Sequence, residues 1–132
     1  MKKIKKKIIK TQKAPSAIGP YSQAIEVGNL LFLSGQISID PETNEFIDGD
    51  IEIQTEQVLK NVKAILEAGN SSLEDVVKVT IYLQDLKDFV LVNKIYSKYF
   101  EDSQPARVTV EVSKLPKNAK LEIDAIAIKN SN

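Results

Sequence analysis

Arg107 is the only arginine in the chain, and the other seventeen of its eighteen basic residues are lysines. The two cations differ in chemistry. A guanidinium presents a planar fork that meets a carboxylate through two hydrogen bonds, and it stays charged at any working pH. Arg107 stands in a strand-like run, Ala106-Arg107-Val108-Thr109-Val110-Glu111-Val112. The alternation sets Arg107, Thr109 and Glu111 on one face and the three valines on the other. The pattern fits an anion receptor fixed on a rigid strand. A surface ion pair is the competing reading.

Carboxylates come next. Glu122 and Asp124 share one face of the last strand-like run. Glu122 sits among Leu121, Ile123, Ala125 and Ile126, and a carboxyl in partly dry surroundings can act as a general acid or base. Asp124 reads as part of a solvated strand face. Three further places could meet a substrate. Gly19-Pro20 fixes an irregular backbone that aims Tyr21, with a packed tyrosine beside a bulge as the plainer reading. Ser34 and Gly35 interrupt an apolar strand, where glycine marks a bulge or a close backbone approach to a ligand. Ser34 has no visible base, so it is a hydrogen-bond donor rather than a nucleophile. Asn93 lies on the inner side of a helix, where a buried amide needs partners; a structural bond from helix to loop is the plainer reading.

The chain has no cysteine and no histidine. That removes disulfides, thiolate nucleophiles, zinc–sulfur sites, the Ser-His-Asp and Cys-His arrangements, and the side chain that titrates nearest neutral pH. Chemistry must run on carboxylates, lysine, arginine, tyrosine, hydroxyls, amides and the backbone. Zero formal net charge conceals an asymmetry. Residues 1–13 carry seven lysines and no acid, which leaves eleven basic and eighteen acidic groups, net −7, in the other 119 residues. A basic run can hold RNA or an anionic membrane surface; a solvated terminus is the simpler expectation. Residues 1–13 also lack the continuous apolar core of a signal peptide. No stretch approaches the ~18 apolar residues of a membrane span. The expectation is a soluble, cytoplasmic protein.

The elements that must position these residues can be read in order. Residues 7–11 suggest a short strand, followed by breaks at Ala14-Pro15 and Gly19-Pro20. Residues 21–27 and 30–39 read as strands, with a turn at Gly28-Asn29, and Phe46-Ile47 as a brief return. Asp50 is a helix N-cap ahead of Val58, Leu59, Val62, Ile65 and Leu66, and Gly69 ends that helix. Val77, Val79, Ile81 and Leu83 alternate with Lys78, Thr80 and Tyr82 in a strand with one buried face. A second helix, capped by Asp85 or Asp88, carries Phe89, Val92, Tyr96, Tyr99 and Phe100 on its apolar face. Strands over 106–112 and 121–128 close the chain. The 132 residues form one domain, with the lysine-rich segment 1–13 at its start. The fold class is α+β, a mostly antiparallel sheet with two helices on one face. The opposite sheet face then lacks cover, which an oligomer would supply. Were the last two strands a plain hairpin, Arg107 and Glu122 would lie about 20 Å apart along one subunit, too far to share a small substrate.

Taken in order, these pieces resemble the RidA/YjgF family of reactive-intermediate deaminases. The matching residues run from Ala14-Pro15 through Ile18-Gly19-Pro20-Tyr21-Ser22-Gln23-Ala24 to Ser34-Gly35-Gln36-Ile37. Asn61-Val62 follows in the first helix, then Asp88-Phe89 and Val92-Asn93 in the second. Pro105-Ala106-Arg107 and Leu115-Pro116-Lys117 lead to Glu122-Ile123-Asp124-Ala125-Ile126-Ala127. The ordered set covers the chain from about residue 8 to residue 129.

The resemblance implies a chorismate-mutase-like fold, a homotrimer with sites between subunits, and no cofactor or metal. It implies hydrolysis of 2-imino and enamine acids, such as 2-aminoacrylate and 2-iminobutyrate, to 2-keto acids and ammonia. Carried over residue by residue, the catalytic positions fall on Arg107, Glu122 and Tyr21. The substrate-binding positions fall on Arg107, Ser34, Gly35, Asn93 and Thr109. Many relatives have cysteine where Thr109 stands, and an aromatic residue where Gln104 stands. The rival functions are a 2-keto acid binding or regulatory module and an endoribonuclease or translation inhibitor. Against the last stand the missing histidine, the acidic body and the lack of aromatic–basic interleaving.

Overall fold

The structure, a computed structural model, describes residues 3–130; the lysine-rich segment lies outside that range at residues 1 and 2. Its longest helix, α1 (Ile51–Ala68), forms where apolar residues recur every three to four positions. Ile51, Val58, Leu59, Val62, Ile65 and Leu66 are all buried. Asp50 caps it, its carboxylate accepting from the Ile53 N–H at 2.9 Å, a contact that contributes about 1 kcal/mol. Gly69 ends the helix for a different reason than a left-handed cap. Its φ is −90°, and a Cβ there would run into the Leu31 side chain. Asn70, at φ 61°, supplies the left-handed residue instead.

Six strands form one sheet: β1 (Lys6–Ile9), β2 (Ala24–Val27), β3 (Leu30–Gln36), β4 (Val76–Leu83), β5 (Ala106–Glu111) and β6 (Leu121–Ile128). Their spatial order is β1-β2-β3-β6-β4-β5. All pairs are antiparallel except β4 with β5. A parallel pair needs a crossover, and α2 (Phe89–Phe100) supplies it. The hairpin of the last two strands does not exist, because β4 lies between them.

The two helices pack on one sheet face. Leu31, Leu33, Val79, Ile81, Leu83, Leu121 and Ile123 of that face join the α1 and α2 residues in one core. The opposite face carries no helix and leaves Leu30, Phe32, Val108, Val110 and Ile128 exposed. Val77 falls there too, not in the core. The β4–β6 register shifts between Val76 and Lys78, so Val76 takes the buried place and Val77 turns outward. Among the described residues no helix is long and apolar enough to cross a membrane.

Candidate active site

The expected site residues form two groups in one chain. The first surrounds Arg107. It leaves β5 toward the helices, and its guanidinium lies over the rings of Phe89 and Tyr96, 5.2 and 4.9 Å from their centroids. Its Nη1 donates to Asn93 Oδ1 at 2.7 Å. Phe89, Asn93 and Tyr96 are spaced four and three residues apart on α2, so one helix face presents ring, amide and ring. Each cation–π contact contributes about 0.5–1 kcal/mol at an exposed site. The contacts fix where the guanidinium points while its outer edge stays exposed. Among the described residues no carboxylate forms an ion pair with it. That answers the surface-ion-pair reading: the charge is held by rings and an amide, none of which neutralises it.

Burial pushes the Tyr96 hydroxyl above its usual range, against the pull of the Arg107 charge. A cleft of about 430 Å³ opens here, bounded by Asn93, Tyr96, Ser97, Gln104, Pro105 and Arg107. Thr109 follows Arg107 on the same strand face, and its hydroxyl oxygen is buried without a hydrogen-bond partner.

Glu122 organises the second group. It lies on the bare face of β6, between the buried Leu121 and Ile123 and opposite Tyr82 of β4. On the other side, β3 bulges: its register with β6 shifts between Leu33 and Gln36, where Ser34 and Gly35 sit. The Glu122 carboxylate fills the space beside Gly35, and a Cβ there would collide with it. Glycine is required by that close approach. Ser34 Oγ donates to the Ser22 carbonyl at 2.5 Å, and its N–H donates to the Gln23 carbonyl at 2.9 Å. These bonds tie β3 to the loop that carries Tyr21.

Buried Gln23 anchors that loop. Its Oε1 accepts from Thr11 N at 2.7 Å, and its Nε2 donates to Pro15 O at 2.7 Å and Thr11 O at 3.0 Å. Tyr21 closes a turn by donating from its N–H to the Gly19 carbonyl at 2.9 Å, and its ring is exposed. Tyr21, Ser34, Gly35, Ile37, Lys117 and Glu122 share a cleft of about 570 Å³. Burial, and then the neighbouring Asp124 charge, hold the Glu122 carboxyl above its ordinary pKa. Asp124 is not a free solvated carboxylate: the Tyr82 hydroxyl donates to its Oδ2 at 3.0 Å.

The groups lie on opposite faces of the sheet. Arg107 ranks with Val79 and Ala125, on the side of the helices; Glu122 ranks with Tyr82, on the bare side. Three residues and two strand spacings separate them, about 10 Å in each direction. The sheet itself stands between the two side chains.

Phe89 and Tyr96 were legible only as apolar helix positions. Their signal was present: two rings bracket an inward amide at helical spacing. Nothing in the sequence marked Gln23 as a loop anchor. Tyr82 becomes visible only once β4 is known to lie beside β6.

Residues 11–129 match the family model described as Endoribonuclease L-PSP. A RutC family protein of Pyrococcus abyssi is 60% identical over 124 residues, which are 94% of this chain and 98% of that protein. Reactive Intermediate Deaminase A, chloroplastic, of Arabidopsis thaliana is 54% identical over 124 residues, 94% of this chain and 66% of that protein. The crystal structure of E. coli TdcF with bound serine matches with a TM-score of 0.88 at 45% identity, covering 94% of this chain and 99% of that one.

Proposed function

The chain belongs to the endoribonuclease L-PSP family, which includes the RidA-type reactive intermediate deaminases, and from that premise we propose that it hydrolyses 2-imino and enamine acids such as 2-aminoacrylate and 2-iminobutyrate. The products are a 2-keto acid and ammonia. The observation that carries the reading is Arg107, a guanidinium aimed by Phe89, Tyr96 and Asn93 and left without a carboxylate partner. It receives the substrate carboxylate. TdcF with bound serine supports a site of amino-acid size.

The chemistry needs one mobile proton and one water. An enamine first becomes the imine by taking a proton at carbon and losing one from nitrogen. Glu122 gives a proton to the imine nitrogen, which makes the carbon more electrophilic. Water adds to that carbon and loses a proton to the Glu122 carboxylate, with Tyr21 orienting the water. The C–N bond then breaks as Glu122 returns its proton to the nitrogen, which leaves as ammonia, and the oxygen gives its remaining proton to Glu122 and stays on the carbon as a ketone. Asn93 holds Arg107, while Ser34, Gly35 and Thr109 shape the walls that contact the substrate. No cofactor is required by these steps.

Arg107 and Glu122 of one chain cannot reach one small molecule through the sheet. The reading therefore takes the active unit to be a homotrimer, in which the Arg107 cleft of one subunit meets the Glu122 cleft of the next. The exposed Leu30, Phe32, Val108, Val110 and Ile128 support burial of the bare sheet face in that assembly.

The direct test generates 2-aminoacrylate or 2-iminobutyrate in situ and follows ammonia release. The expected result is release above the uncatalysed rate for the native chain and at that rate for Arg107→Ala. A native chain that only matches the uncatalysed rate refutes the proposal. Binding of 2-keto acids without turnover, or cleavage of RNA without ammonia release, would substitute the binding-module or ribonuclease reading.

A further inference from the structure

Three side chains converge on the bare face of the sheet, and the hydrolysis scheme uses one of them. Glu122 and Asp124 stand two residues apart on the same face of β6. Tyr82 of β4 is the register partner of Glu122, and its hydroxyl donates to Asp124 Oδ2 at 3.0 Å. Other elements also face this cluster. Beyond Tyr82, β4 presents Thr80 opposite Asp124 and Lys78 opposite Ile126. Tyr21 and Lys117 share the cleft of Glu122. On the same face β3 offers Leu30, Phe32 and Ser34, and β5 offers Val108 and Val110, none of which is charged.

Resting on the imine-hydrolase reading of this site, we propose that Tyr82 and Asp124 are positioning residues for Glu122: Tyr82 fixes the Asp124 carboxylate on the sheet face it shares with Glu122, and Asp124 so held keeps the mobile proton on Glu122. The asymmetry is geometric. The Tyr82 hydroxyl holds Asp124 in place, whereas Glu122 is packed against Gly35. A neighbouring negative charge favours the neutral form of a carboxyl. The direction found for Glu122 agrees, burial and the Asp124 charge both favouring its neutral form. Tyr82 in turn holds its own proton, through burial and the bond to Asp124. Neither residue touches the substrate in this scheme; each acts through Glu122.

Two readouts test it. In protein labelled with 13C at the glutamate carboxyl carbon, NMR titration follows Glu122 directly, with the resonance assigned by its absence in Glu122→Gln. Asp124→Asn is expected to lower the Glu122 midpoint. Tyr82→Phe should lower it less, because the Asp124 side chain remains but is no longer held in place by the Tyr82 hydroxyl. Asp124→Glu should restore a midpoint near the native one. The pH profile of kcat/KM should follow, with the Glu122 limb displaced to lower pH in Asp124→Asn and 2-keto acid affinity unchanged. Tyr82→Phe removes one hydroxyl and no charge, so it carries the test if Asp124→Asn does not fold. Native midpoints in both variants, or in Tyr82→Phe if it alone folds, would overturn the inference. The hydrolase reading fails separately: ammonia release at the uncatalysed rate sinks that reading, while a displaced NMR midpoint still supports the Tyr82–Asp124 assignment.

Discussion

A lysine in place of Arg107 keeps the charge and loses the geometry. The guanidinium is flat, so it can lie over Phe89 and Tyr96, donate sideways to Asn93 and still present an outer edge. An ammonium is a point charge on a flexible stem and cannot do all three. Arg107→Lys should therefore lower kcat/KM by at least about tenfold, or roughly 1.4 kcal/mol of transition-state binding, measured on freshly generated imine. Glu122→Gln should act on a different constant. It keeps shape and removes the proton, so kcat should fall while 2-keto acid affinity, measured by calorimetry, changes little. Weak binding with normal turnover would contradict that role. Arg107 was legible because the chain contains no other arginine, and Glu122 because its neighbours are apolar. Asp124 was legible as part of a strand face but not with its hydrogen-bond partner. Its partner Tyr82 is 42 positions away in sequence, and no local pattern reaches that far.

At the scale of elements, alternation and helical spacing revealed which segments are strands and helices, and the cap at Asp50 came from its local sequence. Strand order did not. Nothing in the run from Leu121 to Ile128 states that it inserts between β3 and β4, and a plain hairpin of the last two strands, which chain adjacency alone would suggest, does not form for that reason. The bulge at Val77 was hidden similarly, since Val76 and Val77 are the same residue type and only the register decides which one is buried. The bulge at Ser34-Gly35 was legible because glycine interrupts an apolar strand. It now has a physical cause, the space taken by Glu122. Gly35→Ala should displace that carboxylate and lower kcat by about 10- to 100-fold, as misplacement by about an ångström does. Thermal unfolding should shift little, because Gly35 is exposed and outside the core. A variant with native kcat would show that Glu122 has other room. Leu59→Ala on α1 should do the reverse: its side chain is fully buried in the core, so truncation should cost about 2–5 kcal/mol in denaturant unfolding without changing the pH profile.

For the whole molecule, the opposed faces are decisive. One chain holds the Arg107 guanidinium on the helix side of its sheet and the Glu122 carboxyl, held above its ordinary pKa by burial and by Asp124, on the bare side. The proposed trimer makes these halves meet, so the native chain should scatter light as a trimer, and a monomer fraction should be inactive. The most direct measurement of a site shared between chains mixes two disabled chains. Arg107→Ala lacks the receptor and Glu122→Gln lacks the proton carrier, and each alone should release ammonia at the uncatalysed rate. Unfolded together in equal amounts and refolded, they should regain about a quarter of native activity, because about one boundary in four joins an intact Arg107 to an intact Glu122. Activity that stays at the level of the separate variants, in a mixture shown to form mixed trimers, would contradict a site shared between chains.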